Sequence, residues 1–103
     1  MMCVAKHKKR FKSMRESALE KYFRQEVLRH GGWTIKLTGT AGIPDRLVMM
    51  PGGAVSFVEL KTDVGRLSKI QKAVHRKLID LGCDVHTLYG RSGVDEWLCG
   101  ADE

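Results

Sequence analysis

Apolar and polar positions along the chain recur with two different periods. Leu19, Tyr22, Phe23 and Val27 are spaced as on one face of a helix, which predicts a first helix over residues 13–30. Shorter segments alternate in polarity or form brief apolar runs, as strands do: 33–38, 46–50, 54–61 and 84–89. Helical spacing returns over 68–81 and, briefly, over about 93–99. The order α-β-β-β-α-β predicts an α/β fold, with helices flanking a mixed four-stranded sheet and a parallel crossover through the second helix.

The same pattern predicts which side chains are buried. In residues 33–38, Trp33, Ile35 and Leu37 share one face of a half-buried strand, opposite Thr34 and Lys36. In the helix over 68–81, the apolar stripe predicted to face the core consists of Ile70, Ala73, Val74, Leu78 and Leu81. Both helices begin with capping-box spacing, formed by Ser13 with Glu16 and by Ser68 with Gln71.

Residues 46–61 predict a β-hairpin whose turn is Pro51-Gly52-Gly53. If Met50 pairs with Ala54, then Asp45 faces Glu59 at the open end of the hairpin. Directly opposed residues lie about 4.5–5.5 Å apart, a spacing at which two carboxylates repel. Because side chains alternate along a strand, Glu59 and Lys61 share a face. Two acids and a lysine at one point are typical of a site that holds a divalent cation.

Length and composition favour one ordinary globular domain. The chain has 103 residues, of which 43% are hydrophobic and 29% charged. It has neither an apolar run long enough for a membrane span nor the apolar block of a signal peptide. The three cysteines (Cys3, Cys83 and Cys99) fit neither a disulfide framework nor a zinc site. The four histidines, which include His75, lack ligand spacing and are interpreted as structural. These observations favour a cytoplasmic protein.

The net charge of +6 is concentrated at the N-terminus. Six basic residues and no acidic ones occur among the first fifteen, whereas the rest of the chain carries twelve of each. The basic residues are Lys6, Lys8, Lys9, Arg10, Lys12 and Arg15. Such a cluster suits binding to a phosphate backbone, but a solvated tail explains it equally well. Residues 1–12 are therefore predicted to be a basic arm joined to a domain over 13–103.

One motif in the sequence indicates a protein family. Pro44-Asp45, thirteen residues, then Glu59-Leu60-Lys61 resembles the signature of the PD-(D/E)XK nucleases. The wider set is Glu20, Gly42–Arg46, Phe57–Lys61, Gly65–Ser68 and Gln71. It is similar to the VRR-NUC family in its small, stand-alone form, typical of phages and prophages. The resemblance covers roughly residues 16–98 and implies a PD-(D/E)XK core. Beside a nuclease motif, DNA binding by the basic arm of residues 1–12 is favoured over a solvated tail.

The resemblance also implies roles for these residues. Asp45 and Glu59 would ligate Mg²⁺ or Mn²⁺ with the backbone carbonyl of Leu60, and Glu20 would complete the ligand set directly or through water. Lys61 would orient or help deprotonate the attacking water. Gln71 would support Lys61, unless it serves only as a helix cap. Glu16 and Glu26 remain alternatives to Glu20. Basic residues predicted to contact DNA within the domain are Lys36, Arg46, Arg66 and Lys69.

The substrate predicted in this way is branched DNA. Stand-alone members of the family resemble Holliday-junction resolvases that act as homodimers, and a domain this small lacks a base-reading motif. Two other functions stay open. One is a nicking, flap or restriction-like nuclease on duplex DNA. The other is a catalytically silent DNA-binding protein with the same fold.

Overall fold

A computed structural model describes residues 15–101. Three helices and four strands make up this part of the chain: α1 (Glu16–Arg29), β1 (Trp33–Lys36), β2 (Arg46–Met50), β3 (Ala54–Lys61), α2 (Lys69–Asp80), β4 (Val85–Tyr89) and α3 (Gly90–Ala101). The basic arm over residues 1–12 lies outside the described residues, as does Ser13 of the first predicted capping box. No helix in the described range is long and apolar enough to cross a membrane.

The strands form one mixed sheet in the order β1-β2-β3-β4. β1 and β2 pair antiparallel, as do β2 and β3, because short connections join them. β3 and β4 are parallel, and α2 makes the crossover between them. The predicted α/β fold and its mixed four-stranded sheet are confirmed.

The hydrophobic core lies between this sheet and the pair α1 and α3. The apolar stripe of α1 is buried as predicted, through Leu19, Phe23 and Val27. The sheet contributes Val48, Val58 and Leu88, and α3 contributes Val94 and Leu98. Helix α3 begins directly after β4, three residues before the predicted start, and this places Leu98 in the core.

Two expectations about α1 and β1 are wrong. Helix α1 begins at Glu16, because Arg15 has an extended backbone (φ −66°, ψ 157°) and serves as the N-cap without a side-chain hydrogen bond. In β1 the prediction fails at two positions, because Thr34 is buried and Trp33 is 61% exposed, whereas Ile35 is half-buried and Lys36 exposed as expected. Thr34 is buried under α1 because its hydroxyl group is hydrogen-bonded there. Thr34 Oγ1 donates to the Leu47 carbonyl at 2.9 Å and accepts from Arg46, so a hydroxyl is satisfied there.

The predicted buried face of α2 is wrong in part. Val74 and Leu78 are half-buried, but Ile70 and Leu81 are 51% and 76% exposed, and the one buried residue of the helix is His75. The reason is that His75 faces the buried carboxylate of Glu59 in the sheet. The capping box of Ser68 and Gln71 is confirmed, with both of its hydrogen bonds present.

The interpretation of the cysteines needs one correction. Cys83 is free, but Cys99 takes part in a disulfide bond. An odd number of widely spaced cysteines does not reveal which of them pair, because pairing depends on the fold and not on spacing.

Candidate active site

The hairpin register sets the geometry of the site. Met50 pairs with Ala54 and Arg46 with Val58, as the turn residues predicted. Gly52 and Gly53 make the turn with φ near +90°, which glycine adopts without steric penalty. Asp45 therefore stands at the open end, one position beyond the last pair. Its Oδ2 accepts a hydrogen bond of 2.8 Å from the backbone N–H of Leu60, which ties the aspartate to the strand that carries Glu59.

The loop before Asp45 is packed onto helix α2. Gly42 has φ +82°, and a Cβ at this position would come within 2.7 Å of the Ile70 carbonyl oxygen and 2.8 Å of Val74 Cγ2. Only glycine allows this approach. Pro44 is fully buried and fixes the backbone that leads into Asp45. The segment Gly-Ile-Pro-Asp thus positions a carboxylate against both the sheet and α2.

Glu59 is the centre of the site. Its carboxyl group is 2% exposed. Oε2 lies 3.2 Å from Gln71 Nε2, which donates to it, and 3.8 Å from Lys61 Nζ. Burial, followed by the charge of Asp45 and a hydrogen bond with it, raises the pKa of Glu59 to about 8, against the lowering effect of Lys61. The repulsion between opposed carboxylates, expected from the register, is therefore present.

His75 is a site residue that the sequence interpretation missed. It is 5% exposed, and its Nε2 lies 3.4 Å from Glu59 Oε1. Neither atom has a hydrogen-bond partner among residues 15–101. Burial lowers the pKa of His75, so the imidazole is neutral at pH 7. The available signal was spacing, because His75 follows Gln71 by one helical turn and must share its face.

Gln71 is a helix cap and also contacts the acidic cluster, though not at the residue expected. Its backbone N–H donates to Ser68 Oγ at 3.1 Å, and its Oε1 accepts from the Ser68 N–H at 2.9 Å. The Nε2 of the same side chain donates to Glu59. Its contact is thus with Glu59 and not with Lys61. The capping box fixes the side chain in the orientation that reaches the carboxylate.

Glu20 lines the same cavity, of about 280 Å³, as Asp45, Glu59, Lys61 and Gln71. Its Oε2, however, lies 3.0 Å from Arg46 Nη1 and 3.6 Å from Lys36 Nζ. Glu26, one of the alternatives, instead pairs with Arg29 at 2.9 Å on the far part of the helix. Glu16 lines the cavity as well. Of the three candidates, Glu20 is the one whose carboxylate is held toward the sheet by ion pairs.

The prediction that Arg46 contacts DNA is wrong in this structure. Arg46 is 4% exposed, because strand alternation turns it under α1. Its Nε donates to Thr34 Oγ1 at 3.0 Å and its Nη1 to Glu20. Arg46 therefore holds Glu20 in place. Lys36, Arg66 and Lys69 are exposed, so the prediction that they contact DNA stays open.

The chemistry of the donor set fits a hard divalent cation. Two carboxylates interact at one point, and Glu59 Oε1 is a buried oxygen with no hydrogen bond within the described range. Carboxylate and carbonyl oxygens are the ligands that Mg²⁺ and Mn²⁺ prefer. No group of three or more His, Cys, Asp or Glu side chains converges on a metal position among residues 15–101. Both roles of Glu20, as a direct ligand and through water, stay predictions.

The raised pKa of Glu59 predicts that the metal-free protein loses stability as the pH rises. A carboxyl group whose pKa increases from 4.5 to about 8 on folding binds its proton more tightly in the folded state. The free energy of unfolding therefore falls as the pH rises toward 8, by roughly 1.4 kcal/mol per pH unit at most. The lowered pKa of His75 makes a contribution of the opposite sign, because it increases the free energy of unfolding as the pH rises toward 6.5. The informative window for Glu59 is therefore pH 6.5 to 8.5.

Urea unfolding in chelator at these two pH values measures the effect. We expect a decrease on the order of 2 kcal/mol for the wild type. Glu59→Gln should remove most of the decrease, and Asp45→Asn should reduce it because the repulsion is gone. A free energy of unfolding that stays constant across the window in the wild type would show that Glu59 titrates normally.

Fold and site together define an α/β nuclease with the PD-(D/E)XK core. The family model described as the VRR-NUC domain matches residues 4–92. "Putative nuclease p44" of Acyrthosiphon pisum secondary endosymbiont phage 1 is 38% identical over 77 residues, which span 73% of this chain and 83% of that protein. A solved structure titled "VRR_NUC domain" superposes with a TM-score of 0.75 at 30% identity, covering 81% of this chain and 92% of that one. The chain belongs to the VRR-NUC family of nucleases.

Proposed function

We propose that the protein is a Mg²⁺- or Mn²⁺-dependent endonuclease that cleaves branched DNA, with four-way junctions as its preferred substrate and a homodimer as its active form. The observation that carries the proposal is the contact of Asp45, Glu59 and Lys61 at one end of the hairpin. Nucleophilic attack on a phosphodiester needs a positioned water and positive charge near the phosphoryl oxygens. This cluster is suited to both.

Each residue of the site has a distinct task in this mechanism. Asp45 and Glu59 would hold the cation with the Leu60 carbonyl, and a bound cation would supply an acidified water and charge neutralisation. Lys61 would orient the attacking water and stabilise charge on the phosphoryl oxygens. Gln71 fixes Oε2 of Glu59 so that the other oxygen, Oε1, keeps a defined direction. Glu20, held by Arg46, would contact the cation through water.

Exposed basic residues near the site support a nucleic-acid substrate. Lys36 lies 3.6 Å from Glu20 with its side chain 61% exposed, and Arg66 and Lys69 are exposed beyond the end of β3. Lys/Arg contacts to phosphates give affinity without base specificity. A preference for shape over sequence is what a junction nuclease requires.

A homodimer follows from the symmetry of the substrate. A four-way junction needs two cuts related by a two-fold axis, and one domain carries one hairpin site. The sequence suggests two apolar candidates for the interface, Trp97 with Leu98 and, on the first helix, Met14 with Leu28. The first pair does not fit, because Leu98 is 1% exposed and Trp97 packs against the core. Leu28, on α1, is 60% exposed and is the candidate that we propose, whereas Met14 lies outside the described range.

Cleavage of defined DNA structures tests the proposal. The purified protein is incubated with Mg²⁺ or Mn²⁺ and labelled linear, nicked, flap or four-way DNA, with chelator as the control. We expect paired, symmetric cuts in the four-way DNA and none in chelator, with a dimer by light scattering at micromolar concentration. A monomer of 11.6 kDa on junction DNA would exclude the resolvase function and favour a nicking or flap nuclease. Full activity in chelator would exclude metal dependence.

A further inference from the structure

A second cavity adjoins the catalytic one beyond Lys61. Its volume is about 570 Å³, within the ~300–1,000 Å³ range of small-molecule sites. It is lined by the loop after β3, by Lys72 of α2 and by Tyr89 at the end of β4. Gln71 lines the catalytic cavity and Lys72 lines this one, so the first turn of α2 separates the two.

The sheet places Tyr89 directly beside the catalytic lysine. Lys61 and Tyr89 are partners in the parallel pairing of β3 and β4, so their side chains emerge on the same face. The Tyr89 side chain is 43% exposed in the cavity wall. Gly65 brings the loop against Lys61 from the other side, since a Cβ there would lie 3.3 Å from Lys61 Cβ and Cδ. A phosphate at Lys61 therefore has an aromatic ring next to it.

The charges in the wall favour an anionic chain. Arg66 and Lys72 are exposed, and no ion pair is found for either within residues 15–101. The one acid in the lining, Asp63, packs against Gly90, where any side chain would overlap its carboxylate. Gly90 is the first residue of α3, and the N-terminus of a helix stabilises a negative charge. Two cations thus stay available for phosphate in the cavity.

We infer that this cavity binds the nucleotide next to the scissile phosphate, with its base stacked on Tyr89 and its phosphate held by Arg66 and Lys72. The inference rests on the proposed DNA cleavage and adds what the enzyme requires of its substrate. Aromatic rings bind bases of any sequence by stacking, together with basic residues that follow the backbone. A base enters the cavity only after leaving its duplex stack. Substrates with an unpaired or weakly stacked nucleotide at the cut, such as branch points, are therefore preferred.

A thermodynamic cycle between protein and DNA tests this directly. The change in the protein is Tyr89→Ala. The change in the DNA is an abasic nucleotide, placed first on one side of the mapped cleavage position and then on the other. Dissociation constants are measured by anisotropy, with Ca²⁺ replacing Mg²⁺ to prevent cleavage. We expect each change alone to weaken binding by about 5- to 150-fold, the range for one stacked base. Together they should weaken it no further, because both remove the same contact.

Matched variants separate stacking from folding. Tyr89→Phe keeps the ring and should bind intact DNA as the wild type does. Trp33→Ala removes another exposed aromatic residue, in β1, and should leave the loss caused by the abasic nucleotide unchanged. The inference is overturned if losses from Tyr89→Ala and the abasic nucleotide multiply, or if the wild type binds abasic DNA equally well at both positions. A wild type that neither binds nor cuts any DNA would instead refute the proposed function.

Discussion

Replacing Asp45 by asparagine is expected to lower the rate of DNA cleavage by at least about 10³-fold, since metal ligation by this group contributes several kcal/mol to the transition state. Asparagine keeps the shape and still accepts the hydrogen bond from the Leu60 N–H, so the fold should be retained. The charge on the ligand is lost. Glu59→Gln should have an effect of similar size, because we propose that Glu59 holds the same cation.

The matched control is Asp80→Asn. Asp80 lies on α2 with a 64% exposed side chain and forms an exposed ion pair with Arg76 of the same helix, so the same chemical change there should leave cleavage unaltered. Single-turnover cleavage with saturating protein measures all three variants. If Asp45→Asn cleaves as fast as Asp80→Asn, the assignment of Asp45 as a ligand is wrong.

The second large effect is expected at Lys61. Lys61→Ala should lower the single-turnover rate by about 10²-fold or more, the range for a group that positions a proton or stabilises developing charge. Metal affinity should stay close to that of the wild type, because the carboxylates are intact. Since Lys61 Nζ lies 3.8 Å from Glu59 Oε2, a simple ion pair is the competing interpretation.

Two measurements distinguish these interpretations. Lys77→Ala, in the exposed last turn of α2, is the control for loss of one positive charge and should retain nearly full cleavage. Titration with Mn²⁺ reports binding independently of turnover. An ion-pair role alone predicts unchanged turnover in Lys61→Ala, and that result would remove Lys61 from the mechanism.

The part of the site that could be predicted from the sequence depends on local geometry. The turn Pro51-Gly52-Gly53 fixes the pairing of Met50 with Ala54, and a two-residue alternation then carries the register to Asp45 and Glu59. This inference needs no knowledge of contacts between distant parts of the chain. The shared face of Glu59 and Lys61 follows in the same way, and so does the contact between their side chains.

The parts that could not be predicted depend on what covers each face of the sheet. Alternation in β1 separates Trp33 from Thr34 but does not reveal which face lies under α1, and apolarity pointed to the wrong one. Arg46 was expected on the surface because arginine rarely occupies a core. Its burial depends on Glu20, which lies in a different element. His75 has polar surroundings only because α2 crosses above Glu59.

The burial of His75 has a practical consequence for structural work with DNA. Helix α2 inserts one buried side chain toward the sheet, and that side chain faces Glu59 together with Gln71. Changing Glu59 therefore loosens the docking of a helix in addition to disabling the chemistry. The Asp45 side chain instead accepts its hydrogen bond from the backbone N–H of Leu60 in β3. An inactive protein for trapping an uncut complex is thus better made at Asp45, where the scaffold that receives the DNA is left undisturbed.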